Sequence, residues 1–278
     1  MPVIDAHIHL WNLQEVEHTW LGPDYGPINQ NFEAGDVAAR LRAASVDKVV
    51  LVQSSNSYEG NAYMLKVSDV TDWVGGVVGW VDLLNPDETR RRLEMYKDHP
   101  KFRGVNHLLS VEDNPDWVAQ PVVIESLKVV EEMRMVFEVS AVYPFSLKHV
   151  PTLAEKLPNL KMVINHLAKP PVKDRKLSPW TDQLILAAAH PNVYVKISGL
   201  NTAADWETWS SADLKPYIDF ALEAFGADRL MVGSDWPVCT LAGSYQSVWV
   251  ETMAVLETYS KSDRAAILGG TAANLYRL

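Results

Sequence analysis

Eight short runs rich in Val, Ile and Leu recur along this 278-residue chain, and segments with helical spacing separate them. The runs predict strands at residues 3–10, 48–54, 73–80, 102–109, 135–141, 160–166, 193–198 and 229–235. Helical spacing is clearest at 36–44, 87–96, 121–133, 214–225 and 244–259. Strand and helix in repeated alternation imply a parallel sheet, and eight such units predict a single-domain (β/α)8 barrel of the TIM type over residues 1–278.

Proline and glycine patterns support this prediction. Pro86, Pro121, Pro179 and Pro216 stand near expected helix starts, where proline is tolerated. The structural alternative is an open, doubly wound sheet, but no G-x-G-x-x-G turn follows the first strand. With 47% hydrophobic residues, the chain can bury the large core that a barrel needs.

Charge and cysteine content exclude several classes of protein. A formal net charge of −10 disfavours nucleic acid and anionic membranes as partners. The sequence contains no run of about 18 apolar residues, so no membrane span is indicated. It also has no N-terminal basic stretch followed by an apolar one, so no secretory signal is expected. The single cysteine, Cys239, excludes an internal disulfide and fits a reducing compartment. We therefore expect a cytoplasmic protein, either monomeric or homo-oligomeric.

The first strand carries the clearest chemical signal. In VIDAHIHL, the residues Asp5, His7 and His9 occupy every second position and would share one face of a strand. On an ordinary half-buried strand this face would lie in water, but in a barrel it points into the lumen. The other face is expected to pack beneath the helices, and it carries Ile4, Ala6, Ile8 and Leu10.

Most later strands also end in polar side chains. They are Asn106 and His107, His166, Lys196 and Ser198, and Ser234 and Asp235. In a barrel these strand ends form one ring at the mouth where active sites lie. Imidazole and carboxylate are good ligands for first-row metal ions, so His7, His9 and Asp235 could hold one ion. A metal there would acidify a bound water, and Asp235 could take its proton.

These features predict a hydrolase that activates water. The chain has no G-x-S-x-G elbow that would present a nucleophilic serine. Ser234, next to Asp235, is interpreted as a helix N-cap or turn residue.

Motifs in order along the whole chain then identify a family. The segments DAHIHLW, GVVGWVDL, GVNHLL, NHLAKP, NVYVKISGL, LMVGSDWPVC and GGTAANLYRL closely resemble the sugar-lactonase branch of the amidohydrolase superfamily. This branch includes L-fuconolactonase-like and L-rhamnonolactonase-like enzymes. The resemblance implies a distorted (β/α)8 barrel that opens a lactone, with Asp235 activating water. It also implies that His7, His9 and His166 bind a metal or polarise the carbonyl.

The resemblance also limits the number of metal ions that the site is expected to hold. Larger members of the superfamily hold two metals with a carbamylated lysine on strand four, and FRGVNHLL has no lysine. Strand five, MVFEVSA, lacks the histidine of binuclear relatives. One divalent ion, zinc, is therefore the expectation. The alternative is a lactonase that needs no metal, in which the histidines and Asp235 act directly on carbonyl and water.

Substrate-contacting residues follow from the chemistry of a sugar lactone, which needs hydrogen-bond donors and an aromatic wall. We expect Trp11, His107 and Tyr143 to contact it. Lys169, one turn beyond His166, would hold a carboxylate of substrate or product, or else lie in solvent. The sequence departs from the branch's Arg-His-Gln at Asn106 and Leu108, and from its frequent aspartate at Asn165, so the preferred sugar stays open.

Rival functions remain on the same barrel. A dicarboxylate lactone would need several arginines at the mouth, whereas Arg103 and Arg134 fall near the opposite ends of their strands. This favours a neutral sugar lactone. A decarboxylase, an amide hydrolase and a catalytically silent barrel that binds sugar or metal also stay open as functions.

Overall fold

One parallel sheet of eight strands, in the order β1 to β8, forms the centre of the molecule. The computed structural model describes residues 2–278. Each predicted run contains one strand: β1 (Ile4–Ile8), β2 (Lys48–Val52), β3 (Val74–Gly79), β4 (Phe102–His107), β5 (Val136–Val139), β6 (Lys161–Ile164), β7 (Val193–Ile197) and β8 (Leu230–Val232). Strand order follows chain order throughout, so the predicted (β/α)8 architecture is confirmed.

Helices lie between the strands and after the last one. They are α1 (Ala34–Ala43), α2 (Tyr58–Asp69), α3 (Pro86–Tyr96), α4 (Pro121–Glu132), α5 (Val150–Lys156), α6 (Trp180–Ala188), α7 (Ser211–Phe225), α8 (Tyr245–Leu256), α9 (Lys261–Ala265) and α10 (Thr271–Tyr276). Among residues 2–278, no helix combines the length and the apolar character that crossing a bilayer requires.

Helix α7 starts three residues earlier than predicted. The side chains of Ser210 and Asp213 each accept a hydrogen bond from the other's backbone N–H, and this reciprocal cap starts α7 at Ser211 rather than at residue 214. Pro216 therefore lies inside α7 and not near its start. The other three prolines do stand at helix starts, since Pro86 and Pro121 begin α3 and α4, and Pro179 directly precedes α6.

The barrel closes where β1 meets the segment after β8. The backbone N–H of His9 donates to the carbonyl of Trp236 at 2.7 Å, and the N–H of Asp235 donates to the carbonyl of His7 at 2.9 Å. These two bonds join the chain's beginning to its end. They also set the residues of the predicted site side by side.

Two apolar layers surround the sheet. Outward-facing strand residues such as Val49 and Leu51 belong to the large cluster that includes helix residues such as Leu41 and Met64. Inward-facing residues from six strands form a second cluster with α10: Ile4, Ala6, Val50, Val52, Val78, Val136, Val163, Met231, Ala272 and Tyr276. The lumen is therefore a packed core and not a channel.

The predicted alternation along β1 is wrong for Ile4, Ala6 and Asp5. Pairing with β2 advances three residues on β1, from Asp5 to Ile8, while it advances two on β2. This bulge reverses the side-chain alternation within the strand. Ile4 and Ala6 consequently pack in the lumen, and Asp5 faces outward, whereas His7 beyond the bulge still points inward.

Outward-facing Asp5 fastens the seam between the first and last strands. Its carboxylate accepts hydrogen bonds from the N–H of Ser234 at 2.8 Å and from the hydroxyl of Tyr245 at 3.1 Å. Burial raises the pKa of Asp5 to about 6, against the lowering effect of these donors. Asp5 is thus a structural residue of the closure and not a part of the site.

Replacing Tyr245 with Phe tests this seam. We expect Tyr245→Phe to lower the free energy of unfolding by about 1–3 kcal/mol, because a buried carboxylate loses a donor. Urea denaturation followed by circular dichroism measures the change. Tyr259→Phe is the matched control, since that hydroxyl donates to the partly exposed Asp219 and should matter less. Equal stability of Tyr245→Phe and the wild type would contradict the role given to Asp5.

Candidate active site

Four side chains meet at the carboxyl ends of β1, β6 and β8. The Nε2 atoms of His9, His7 and His166 lie 3.3, 3.7 and 3.9 Å from one oxygen, Oδ1 of Asp235. His7, His9 and Asp235 are buried, and His166 is partly buried. The structure therefore brings together the three histidines and the aspartate that the sequence scattered from residue 7 to residue 235.

Contacts on the ring nitrogen that faces away from Asp235 orient two of the imidazoles. Nδ1 of His9 lies 2.9 Å from the carbonyl of Val52, which can only accept, so Nδ1 carries the proton and Nε2 offers its lone pair to the site. Nδ1 of His166 lies 2.8 Å from the hydroxyl of Ser198. Such contacts on the far ring nitrogen are typical of metal-binding histidines.

The donor set suits one metal ion. His7, His9 and Asp235 each offer a ligand atom, and these three atoms lie within 4.8 Å of one another. Two imidazole nitrogens and one carboxylate oxygen are ligands that zinc prefers. The residues present therefore fit a single divalent ion.

Burial sets the charge states. It lowers the pKa of His166 to about 4 and lowers that of His7 well below 6.5, so both rings are neutral at neutral pH. Burial alone would raise the pKa of Asp235, but nearby positive charge, including that of Lys169, lowers it overall. The site thus presents the neutral rings of His7 and His166 beside an ionised carboxylate.

A left-handed turn positions the β6 residues. His166, Leu167, Ala168 and Lys169 all have φ between 49° and 60°, a conformation that costs L-residues about 1–2 kcal/mol each. Neighbours hold this turn: the Trp180 indole donates to the carbonyl of Leu167, and the backbone N–H of Tyr143 donates to that of Ala168, both at 2.8 Å. The result places His166 and Lys169 on one cavity.

Two glycines permit the close packing of the site. A Cβ on Gly199 would lie 2.7 Å from Oδ2 of Asp235 and 2.9 Å from Nδ1 of His166, and its φ is +60°. A Cβ on Gly233 would lie 2.7 Å from that of His7. Both positions exclude side chains because the catalytic candidates occupy that space.

A cavity of about 690 Å³ opens above these groups. His9, His166 and Asp235 line it, together with a wall of three aromatic residues and a set of hydroxyl groups. The aromatic residues are Trp20, Tyr25 and Trp206, and the hydroxyls belong to Ser54, Ser110 and Thr202. Lys169 is the cationic side chain among its described lining residues, and no arginine is among them.

Three of the four predicted contact residues lie elsewhere. Trp11 is fully buried and donates to the carbonyl of Gln30 at 2.7 Å. Both ring nitrogens of His107 are engaged, by the indole of Trp80 at 3.0 Å and by Glu112 at 2.7 Å. Tyr143 does not line the cavity. Only Lys169 does.

The structure therefore places Trp11, His107 and Tyr143 outside the lining of this cavity, because adjacency to a site strand in sequence does not decide which side chain reaches the cavity. Trp20, Tyr25 and Trp206, the last from the loop after β7, are the aromatic residues that line the cavity. The signal for Trp20 and Tyr25 was present in WLGPDYGP, a proline- and glycine-rich stretch between β1 and α1 that marks a long loop over the mouth.

Comparison with known proteins agrees with this geometry. The fold and site define a barrel enzyme of the amidohydrolase type, with histidines and an aspartate at the strand ends. The family model described as Amidohydrolase matches residues 4–278, and the chain belongs to this family. The resemblance stated from the motifs is thereby confirmed.

Particular relatives cover nearly the full length. L-fucono-1,5-lactonase of Burkholderia ambifaria is 34% identical over 99% of this chain and 95% of its own. L-fucono-1,5-lactonase of Burkholderia multivorans is 31% identical over 99% and 96%. A crystal structure of an amidohydrolase from Burkholderia multivorans with bound zinc superposes with a TM-score of 0.93 at 30% identity, covering 100% of both chains.

Gly199→Ala tests the packing of the site. We expect it to lower the free energy of unfolding by about 1–3 kcal/mol more than Gly226→Ala does, because its methyl group would overlap Asp235 and His166. Gly226 is the matched control, since its φ is also positive, +73°, but nothing lies within 4 Å of its added Cβ. Chemical denaturation measures both variants. Equal losses would show that backbone conformation alone, and not the crowded site, requires Gly199.

Proposed function

We propose that this chain hydrolyses the lactone of a neutral sugar acid, an aldonolactone such as L-fucono- or L-rhamnono-lactone, to the free acid. The observation that carries the proposal is the ionised, buried Asp235 with three imidazoles around one of its oxygens, at a cavity large enough for a sugar ring. The relatives named L-fucono-1,5-lactonase support the same reaction.

The cavity's lining suits a neutral polyol. Ser54, Ser110 and Thr202 offer hydroxyls to hydrogen-bond sugar hydroxyls, and Trp20 and Tyr25 offer apolar ring surface. A dicarboxylate lactone would need arginine forks, and the described lining residues include none. Asp24 at the same cavity adds a negative charge that repels anionic substrates.

Asp235 is the proposed general base. Its carboxylate takes a proton from water while the oxygen of that water attacks the lactone carbonyl carbon. The carbonyl oxygen gains negative charge, which the ammonium group of Lys169 stabilises. The carbon–oxygen bond of the ring then breaks, and protonated Asp235 returns its proton to the departing ring oxygen. The products are the open acid and the regenerated carboxylate.

A divalent ion, zinc by donor preference, would be held by His7, His9 and Asp235, with His166 beside them. When bound, it would polarise the carbonyl and acidify the attacking water. The alternative without metal assigns carbonyl polarisation to the histidines themselves. In both cases Asp235 handles the proton.

Asp235→Asn tests the assignment of the base. We expect kcat to fall by about 10²–10⁴, since the amide cannot accept the proton, while the circular dichroism spectrum is unchanged. A panel of aldonolactones with 1,4- and 1,5-rings, followed by a pH indicator, measures acid release. Asp219→Asn, on the surface of α7, is the control and should keep wild-type turnover. A near-normal kcat for Asp235→Asn would refute the mechanism.

The same assay separates the rival reactions. Acid release without carbon dioxide or ammonia identifies lactone hydrolysis against decarboxylation and amide hydrolysis. Tight sugar binding without turnover would instead support a silent binding barrel. Running the panel before and after chelation distinguishes the metal-dependent form of the mechanism from the direct one.

Lys169→Met tests the cation at the cavity. We expect kcat to fall by about 10²-fold, the scale for losing one donor that stabilises a developing oxyanion. Steady-state kinetics on the best lactone of the panel measures it, with Lys173→Met as the exposed control. A raised KM with unchanged kcat would assign Lys169 to holding the substrate and not to stabilising the oxyanion.

A further inference from the structure

A buried ion pair lies beneath the proposed site, and the mechanism above does not use it. Lys196 of β7 and Glu138 of β5 are both 0% exposed, and Nζ lies 2.6 Å from Oε1. The hydroxyl of Tyr276 donates to the same carboxylate oxygen at 2.6 Å. A charged pair so deep in a lumen costs desolvation, so its contacts with the site need an explanation.

The ammonium of Lys196 also contacts His7. Nζ lies 3.2 Å from Nδ1 of His7. An ammonium has three N–H donors and no acceptor, so Nδ1 of His7 must be the accepting nitrogen. The neutral His7 ring consequently carries its proton on Nε2, the atom that faces the site.

His9 completes a one-directional chain of hydrogen bonds. Because its Nδ1 donates to the carbonyl of Val52, its Nε2 accepts. Nε2 of His7 lies 3.1 Å from Nε2 of His9 and donates to it. Donation therefore runs from Lys196 through His7 and His9 to Val52. One of the two nitrogens that would ligate a metal is already protonated.

We propose that Lys196 sets the affinity of this site for a divalent metal ion, by holding His7 in the tautomer whose proton is on Nε2. Ligation through that nitrogen requires the proton to leave and a second cation to sit across the ring from the ammonium. His9 and His166 face a carbonyl and a hydroxyl, the usual partners of metal-binding histidines, whereas His7 faces a cation.

The position of Glu138 predicts whether removing Lys196 strengthens or weakens metal binding. Its second oxygen, Oε2, has no hydrogen-bond partner and lies 4.0 Å from Nδ1 of His7. Without Lys196, the His7 proton would move from Nε2 to Nδ1, and this carboxylate would approach to accept a hydrogen bond from Nδ1–H, which leaves the Nε2 lone pair free. That arrangement is the carboxylate–histidine–metal relay that strengthens metal binding.

Zinc titration of the full-length chain tests this. Wild type, Lys196→Met and the double variant Lys196→Met/Glu138→Gln are stripped with chelator and titrated with Zn²⁺ against a fluorescent zinc indicator. We expect Lys196→Met to bind zinc at least about tenfold more tightly than the wild type, the scale of outer contacts on ligating histidines. The double variant, which lacks the carboxylate, should lose most of that gain. Unchanged or weaker binding by Lys196→Met would overturn the proposal.

A measurement on the wild-type protein tests the His7 tautomer even if Lys196→Met does not fold. Histidine ¹⁵N spectra of the metal-free protein at neutral pH should show His7 protonated on Nε2 and unprotonated on Nδ1, and His7→Gln identifies its signals. A proton on Nδ1 would overturn the inference. The inference rests on the ligand set of the proposed function, but neither experiment contains a lactone. Its failure is therefore distinguishable from failure of the lactonase assay.

Discussion

The closure of the barrel is the constraint on which the rest depends. Two backbone hydrogen bonds join the strand of His7 and His9 to the segment of Asp235 and Trp236, and they align catalytic candidates from opposite ends of the chain. The outward-facing carboxylate of Asp5 strengthens that seam, because it accepts a hydrogen bond from the backbone N–H of Ser234, 229 residues further along the chain. Closing the barrel therefore also assembles the site, because the sheet cannot close without bringing the imidazoles and the carboxylate together.

Energetically unfavourable backbone conformations and a buried ion pair lie close to this seam. Four consecutive left-handed residues end in Lys169, Asp235 itself has φ of 61°, and a buried Lys196–Glu138 pair lies beneath the histidines. Each would destabilise an isolated element, and the packed lumen and outer helical layer hold them in place. Desolvation at this point lowers the pKa of His166 and keeps it neutral, while nearby positive charge keeps Asp235 ionised against the effect of burial, and the proposed water activation needs this pairing.

Much of the fold and part of the site could be predicted. Strand positions followed from short β-branched runs, and the strand-end rule gathered His7, His9, His166 and Asp235 into one ring. The orientation of Asp5 could not be predicted, because strict alternation holds only until a bulge, and pairing with a neighbouring strand creates the bulge. Trp11, expected to contact substrate, is fully buried, whereas Trp20 and Tyr25 from the long loop after β1 line the cavity, and strand-end rules do not predict loop residues.

The amino-acid order by itself determined the number and sequence of strands, the residue types at their ends and the family to which the chain belongs, because these are local patterns. Tertiary structure alone decided which atoms meet. The contact of Lys196 with His7 spans 189 residues and leaves no trace in local spacing. Proton positions on the histidines depend on such contacts, since a ring nitrogen donates or accepts according to the partner that packing places beside it.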